Sequence, residues 1–249
     1  MELLAVFDEY EQYICNMDLP FFYEPLLTET DKTFTLSEDT YKHAIQVLRM
    51  ELNAVLHLTN GKGLLSRASI IKIDKKLTTV QTQSVQFFAE NTTKVSIGIS
   101  LLKNTNRLEW FLEKATELGI SNFFLLQCHR TEKQHFRFDR LNAILIAAML
   151  QSQQTWLPIL HEPKPVDEIL TSINFEIKLI AHCEEATKIA LQKIKPTGNT
   201  IILIGPEGDF TPEEIYTSLQ NNFTAVSLGN TRLRTETAGV VAASLLMNN

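Results

Sequence analysis

Two short segments carry residue types suited to chemistry. The first, Ile204-Gly205-Pro206-Glu207-Gly208-Asp209-Phe210, leads from an apolar stretch into a helix start. Its glycines let a ligand approach the backbone closely, and the first turn of the helix offers unpaired N–H groups. The second, Ser227-Leu228-Gly229-Asn230-Thr231-Arg232-Leu233-Arg234-Thr235-Glu236-Thr237, repeats the order strand, loop, helix and adds two arginines. Taken singly, each loop also has a structural reading, since βα loops often need glycine and Arg–Glu pairs often tie loops down; it is their occurrence together that points to a site. Other chemistries lack their signatures. There is no G-x-G-x-x-G, no G-x-x-x-x-G-K-[ST] and no G-x-S-x-G elbow, and His43, His57, His129, His135, His161 and His182 form no metal-ligand spacing.

Both segments need a sheet to hold them. From Val95 onward β-runs alternate with helical periodicity: Val95–Leu102, a helix over Arg107–Leu118 closed by Gly119, Phe123–Gln127, a helix over Asp139–Leu150, Lys178–Ala181, a helix over Ala186–Lys193, Ile201–Ile204, a helix started by the capping box Thr211-Pro212-Glu213-Glu214, Phe223–Leu228, and a last helix over Glu236–Met247. This alternation predicts a parallel sheet covered by helices, with ligands beyond the carboxyl ends of its strands. The stretch before residue 90 reads differently. Val55–Leu58 and Ala68–Ile73 flank the turn Asn60-Gly61-Lys62-Gly63, Val80–Phe88 follows, and a single helix capped by Ser37 is expected between Ser37 and Met50. A domain boundary is expected near residue 90.

The 249 residues are 44% hydrophobic and 21% charged, which excludes disordered, collagenous and coiled-coil classes. The apolar runs Ala143–Leu150 and Val240–Leu246 fall short of the roughly 20 residues that span a bilayer. The first residues lack a basic signal start, so a cytoplasmic, non-membrane protein is expected. Cys15, Cys128 and Cys183 form no Cys-x-x-Cys pair and read as reduced thiols. Net charge is −6, but residues 1–18 hold five acids and no base, so the acidity is largely in that tail. Leu3, Leu4, Phe7, Tyr10 and Ile14 recur there at helical spacing, and the tail is expected to be dispensable for chemistry. Lys103, Arg107, Lys114, Arg130, Lys133, Arg137 and Arg140 outnumber the acids of the same stretch and sketch a modest basic face.

Three motifs together carry a resemblance: Gly205-Pro206-Glu207-Gly208-Asp209-Phe210, Leu228-Gly229-Asn230-Thr231-Arg232-Leu233-Arg234-Thr235-Glu236-Thr237-Ala238, and Glu113-Lys114-Ala115-Thr116-Glu117-Leu118-Gly119. The chain resembles the RsmE-type 16S rRNA (uracil-N(3)) methyltransferases of the SPOUT class. His43, Val47-Leu48-Arg49, Gly61-Lys62-Gly63 and Gln151-Ser152 followed by Pro158 extend the likeness, which runs from about residue 20 to the end. Leu150 and Gln154 stand where the family usually has charged residues. The first arginine of its Gly-x-Arg-Ile-Leu-Arg run is displaced by one place, to Arg232.

The resemblance implies an N-terminal extension over 1–18, a small PUA-like β-barrel for RNA over 19–89, and over 90–249 an α/β domain with a C-terminal trefoil knot that forms the S-adenosyl-L-methionine pocket. Its three cofactor loops map onto Ala181-His182-Cys183, Ile204–Gly208 and Leu228–Leu233. Expected cofactor contacts are therefore Ala181, His182, Ile204, Gly205, Pro206, Glu207, Gly208, Leu228, Gly229 and Leu233, with no metal. Arg49, Lys103, Arg107, Arg130, Arg137 and Arg140 are expected on RNA phosphates, and Arg234 is expected to stabilise charge on the reacting uracil. The implied partners are 16S rRNA in the assembled or nearly assembled small subunit and a second copy of the chain. Two alternatives stay open from sequence: a SPOUT methyltransferase for another RNA such as tRNA, and a non-catalytic RNA-binding assembly protein.

Overall fold

A computed structural model describes residues 19–132 and 137–248 of the chain. The expectations for the 1–18 tail, and Lys133 and His135, lie outside the described residues. The chain divides into two compact units, the first ending at Glu90 and including Gln153–Trp156, the second comprising Asn91–Ser152 and the residues from Leu157 onward. The return of Gln153–Trp156 departs from the single cut expected near residue 90.

The first unit is a five-stranded sheet in the order β1-β3-β4-β5-β2, formed by β1 (Phe21–Tyr23), β2 (Thr33–Thr35), β3 (Val55–Thr59), β4 (Leu64–Ile73) and β5 (Thr78–Phe87). Leu56, Leu58, Leu64, Ala68, Ile70 and Val80 alternate inward to make its core. Asn60 shapes the β3–β4 turn, its Oδ1 accepting from the N–H groups of Lys62 (2.9 Å) and Leu64 (3.3 Å). Gly63, at φ +90°, has no room for a side chain: a Cβ would lie 2.5 Å from the Phe88 carbonyl oxygen and 2.8 Å from the Trp156 ring. That ring donates its Nε1–H to the same carbonyl at 2.9 Å, which ties Trp156 into this unit. Ser37 does cap the expected helix, but α1 (Glu38–Tyr41) passes into a π-helical turn over Lys42–Val47 instead of continuing regularly to Met50.

The second unit is a parallel seven-stranded sheet in the order β10-β12-β9-β11-β6-β7-β8. Its strands are β6 (Val95–Ser100), β7 (Asn122–Gln127), β8 (Ile159–Pro165), β9 (Ile177–Ala181), β10 (Ile189–Ala190), β11 (Thr200–Ile204) and β12 (Thr224–Ser227). The central strands β6 and β11 are buried along their whole length, as expected for a sheet covered on both faces. Alternate residues feed two cores. Phe123 and Leu125 face α2 (Thr105–Glu117), α3 (Phe138–Gln151) and α6 (Thr235–Met247), while Phe124 and Leu126 face α4 (Val166–Ser172) and α5 (Pro212–Gln220). The α6–α2 approach depends on Gly239, where a Cβ would lie 2.4 Å from the Phe111 ring.

One further local expectation is corrected. Ala186–Lys193 is not a helix: Ile189 and Ala190 pair with Val226 and Ser227 at the sheet edge, and only Leu191–Lys193 makes a 3₁₀ turn. Edge pairing overrides a helical pattern too short to stand alone. The stretch holding Pro163 and Pro165 forms β8, an edge strand, where missing N–H donors cost little. Among the described residues no helix is long and apolar enough to cross a membrane.

The path along the sheet positions the site. The chain lays β6, β7 and β8 outward in turn, places β9 beyond β6, inserts β11 between β9 and β6, and carries β12 to the far side of β9. The carboxyl ends of β12, β9 and β11 therefore lie side by side, where the order reverses and ligands of such sheets bind.

Candidate active site

The loops leaving those three strand ends enclose one cavity of about 630 Å3, within the roughly 300–1,000 Å3 of small-molecule and cofactor sites. Ala181 and His182 line it after β9, Ile204, Gly205, Pro206 and Glu207 after β11, and Leu228, Gly229, Leu233 and Arg234 after β12. The structure thus brings together all but one of the expected cofactor residues. The exception is Gly208, which is outside the lining and packs on Arg130: a Cβ at Gly208 would lie 3.3 Å from that side chain. Lys188, Asp209 and Thr235 join the lining; Asp209 and Thr235 belong to the two segments singled out in the sequence but are not among the expected contacts, and Lys188 carries no sequence signal.

The β11 loop is held from several sides. Asp209, and neither glycine, is its left-handed residue, at φ +63°. Its carboxylate accepts from the N–H of Phe210 (2.9 Å) and that of Cys183 (2.7 Å), which ties the β11 and β9 loops together. Gly205 sits against the Phe210 ring, 3.0 Å from where its Cβ would be. The capping box forms as expected at α5, Thr211 Oγ1 accepting from Glu214 N–H and Glu214 Oε2 accepting from Thr211 N–H (2.7 Å). The other Glu214 oxygen accepts from the distant His129 N–H, also at 2.7 Å.

The β12 loop is built differently. Gly229 has φ +145°, which favours glycine, and open space where a Cβ would be. From Gly229 to Leu233 no backbone group is hydrogen-bonded to a described residue, leaving N–H and C=O groups for an occupant. With apolar Ile204, Val226, Leu228 and Leu233 around the same space, the residues present fit a flat heterocycle with polar edges, such as the adenine of S-adenosylmethionine.

His182 is buried, and neither ring nitrogen has a hydrogen-bond partner among the described residues. Burial pushes its pKa below the ordinary histidine value, Lys188 adds to the shift, and Asp209 and Glu184 oppose it. Burial also lowers His57 and His161, aided by Arg67 and Lys164 respectively. Each ring binds its proton less tightly folded than unfolded. The stability this contributes is complete above the unfolded value near 6.5 and drains as pH falls through the lower folded values. Thermal unfolding followed from pH 8 to 5 should show the midpoint falling below about pH 6.5, less steeply in His182→Asn. An identical pH slope in that variant would remove His182 from the account.

The expected RNA contacts divide. Lys103 pairs with Glu132 (3.0 Å), Arg140 with Glu109 (2.5 and 2.8 Å), and Arg107 with the buried Glu236 (3.6 Å). Arg130 donates to the carbonyls of Gly208 (2.6 Å) and Phe210 (3.3 Å) and so braces the cofactor loop. These four have internal partners, whereas Arg49 and Arg137 are exposed and have none among the described residues. Arg234 likewise has no side-chain partner among the described residues. It occupies the N-cap position of α6 without a capping side-chain bond, and Glu236, its obvious competitor for a pair, faces Arg107 instead.

A parallel sheet with a reversal in strand order and three strand-end loops around one cavity, with an exposed arginine in its lining, make an α/β protein with a pocket suited to a nucleotide-like cofactor. Among the described residues no cluster of His, Cys, Asp or Glu could hold a metal ion. Residues 89–247 match the RNA methyltransferase domain family and residues 36–83 the RNA methyltransferase PUA domain. The chain belongs to the RNA methyltransferase domain family, and its fold is the SPOUT-type α/β fold with a trefoil-knotted C-terminal segment, preceded by a PUA-like domain. It is similar to ribosomal RNA small subunit methyltransferase E of Buchnera aphidicola, 27% identical over 244 residues and covering 94% of each chain. Among solved structures it resembles a probable rRNA-methyltransferase from Porphyromonas gingivalis, with a TM-score of 0.84, 32% identity, and coverage of 91% of this chain and 96% of that one. It also resembles a ribosomal RNA small subunit methyltransferase E from Neisseria gonorrhoeae bound to S-adenosyl methionine, with a TM-score of 0.82, 27% identity, and coverage of 91% and 95%.

Proposed function

We propose that this protein transfers the methyl group of S-adenosylmethionine to ring nitrogen 3 of a uridine in small-subunit (16S) ribosomal RNA. The observation that carries the reading is the cavity at the ends of β9, β11 and β12, with free backbone over Gly229–Leu233 and the unpaired Arg234 at its mouth. The small-subunit relatives support the choice of RNA, and the cofactor-bound neighbour supports the choice of donor.

When bound, S-adenosylmethionine supplies a methyl group already activated on sulfonium, so no metal is required. The chain must then align donor and acceptor and exclude water. Ile204, Val226, Leu228 and Leu233 provide the dry enclosure, and the β12-loop backbone orients the adenine edge. Uracil N3 holds a proton at neutral pH, and its loss spreads negative charge onto the two ring carbonyl oxygens. Arg234 meets that charge with a fixed fork of donors.

Calorimetry should detect S-adenosylmethionine and its demethylated product binding equally well with and without chelator; binding only with added divalent metal contradicts the site as described. Transfer of labelled methyl to purified small subunits and to naked rRNA tests the reaction and tells which form is the substrate. The PUA-like unit is assigned to RNA binding, with Arg49 of that unit and Arg137 of the second unit as phosphate contacts, in the cytoplasm where ribosomal subunits are found. A homodimer is expected from the apolar excess of Val240, Val241, Leu245 and Leu246 on α6; of these Leu246 is buried in the chain's own core, and the other three are half-buried, Val240 and Leu245 against that core. Light scattering at micromolar concentration should return the mass of two chains, and a fully active monomer would refute this.

A further inference from the structure

The β12 loop holds a second free cation besides Arg234. Arg232 lines the same cavity, is exposed, and has no partner among the described residues. The other cations of the three loops and their surroundings are engaged: Lys188 donates to the His182 carbonyl (2.7 Å), Arg130 to Gly208 and Phe210, and Arg107 faces Glu236. Asp209, an acid of the same lining, is occupied by the Cys183 and Phe210 N–H groups. The burial pattern alternates: Arg232 and Arg234 are exposed, and Leu233 between them is half-buried in the apolar wall. In extended chain, residues two apart share a face and lie about 6.5–7 Å apart along it. Two guanidinium groups so spaced, above an α6 N-terminus with no side-chain cap, make a positive lip on an apolar cavity.

We propose that Arg232 is a positioning residue that binds a backbone phosphate of the target RNA strand, beside the nucleotide whose base Arg234 serves. The proposal rests on the methyl-transfer reading and adds a division of labour within one loop: Arg232 holds the strand, Leu233 closes the cofactor wall, and Arg234 acts on the base. A guanidinium at the exposed lip suits a phosphodiester, which keeps its charge before and after transfer, so its contribution is to binding and not to the chemical step.

The test compares the full-length protein with Arg232→Ala, Arg232→Gln and Arg232→Lys, using S-adenosylmethionine and small-subunit rRNA. Arg232→Ala and Arg232→Gln should raise KM for RNA several-fold with kcat within twofold, weaken binding equally for unrelated RNA sequences, and flatten the log–log salt dependence of RNA binding by roughly 0.7–1. Arg232→Lys should restore most of that slope, because a phosphate contact needs charge more than a planar fork. Calorimetric affinity for S-adenosylmethionine without RNA should be unchanged. A loss there would assign Arg232 to the cofactor carboxylate and overturn the proposal, as would an unchanged salt slope or a fall in kcat at saturating RNA. If the unsubstituted protein methylates no RNA, the functional reading fails on that result alone. The salt slope of direct RNA binding still decides the role of Arg232.

Discussion

Replacing Arg234 by alanine should lower kcat for RNA methylation by roughly 10²–10³, the range for losing one preorganised donor at a site of developing charge. The thermal midpoint and the affinity for S-adenosylmethionine should stay near those of the unsubstituted protein. The reasons are structural. Arg234 is exposed and its side chain holds no ion pair or hydrogen bond among the described residues, so its removal breaks no internal contact. Its backbone is extended at the α6 N-cap, with its carbonyl accepting from Ala238 N–H at 2.8 Å, and alanine can keep that arrangement. Arg234→Lys should recover only part of the rate, since an ammonium cannot present two parallel donors to the uracil edge. Steady-state turnover at saturating RNA, paired with calorimetry, checks both halves. Near-normal turnover in the alanine variant would remove Arg234 from the chemistry, and a fall in melting temperature would give it a structural role.

Glu214→Ala should have the largest effect on stability among residues behind the cavity. The buried Glu214 carboxylate accepts from Thr211 N–H and His129 N–H, both at 2.7 Å. It therefore closes the α5 cap and pins the end of β7 to the end of the cofactor loop. Hydrogen bonds to a charged group contribute about 1.5–3 kcal/mol each, and a donor left unpaired in the interior adds its desolvation cost. A loss of about 2–4 kcal/mol is expected, or roughly 5–15 °C in melting temperature for a chain of this size. Cofactor affinity should fall with it, because Pro206–Phe210 loses its anchored end. Glu214→Gln should fall between, its amide keeping one acceptor and turning an N–H toward the other donor. A melting temperature unchanged in Glu214→Ala would show that the loop is held by other contacts.

What the sequence discloses of this site follows physical locality. The Thr211–Glu214 box and the Gly119 helix stop, at φ +90°, involve residues within one turn, and their residue types announce them. Strand-end loops are readable for the same reason. Partners distant in the chain are not: Glu214 reaching His129, Arg130 bracing Gly208, Arg107 turning to Glu236 and Arg140 to Glu109 all depend on tertiary approach. A basic count over 103–140 therefore sketches a phosphate-binding face where much of the charge has internal partners. Asp209 in the left-handed region is hidden because Gly205 and Gly208 offer a readier explanation of the turn, yet its own carboxylate supports that conformation through Phe210 N–H. β8 carries Pro163 and Pro165, and it tolerates them because it lies at the sheet edge. A knot leaves no periodicity at all, since it is a property of the path and not of any segment.

The central claim is methyl transfer to uracil N3, and nucleoside mass spectrometry tests it most directly. Small subunits and naked rRNA lacking the modification are incubated with the protein and S-adenosylmethionine, digested to nucleosides, and resolved by chromatography against 3-methyluridine, 5-methyluridine and 2′-O-methyluridine. The account predicts 3-methyluridine at a single position of the small-subunit RNA, formed in the presence of chelator and formed roughly 10²–10³-fold more slowly by Arg234→Ala. Methyl on the ribose or on carbon 5, or no methyl on small-subunit RNA, would contradict it.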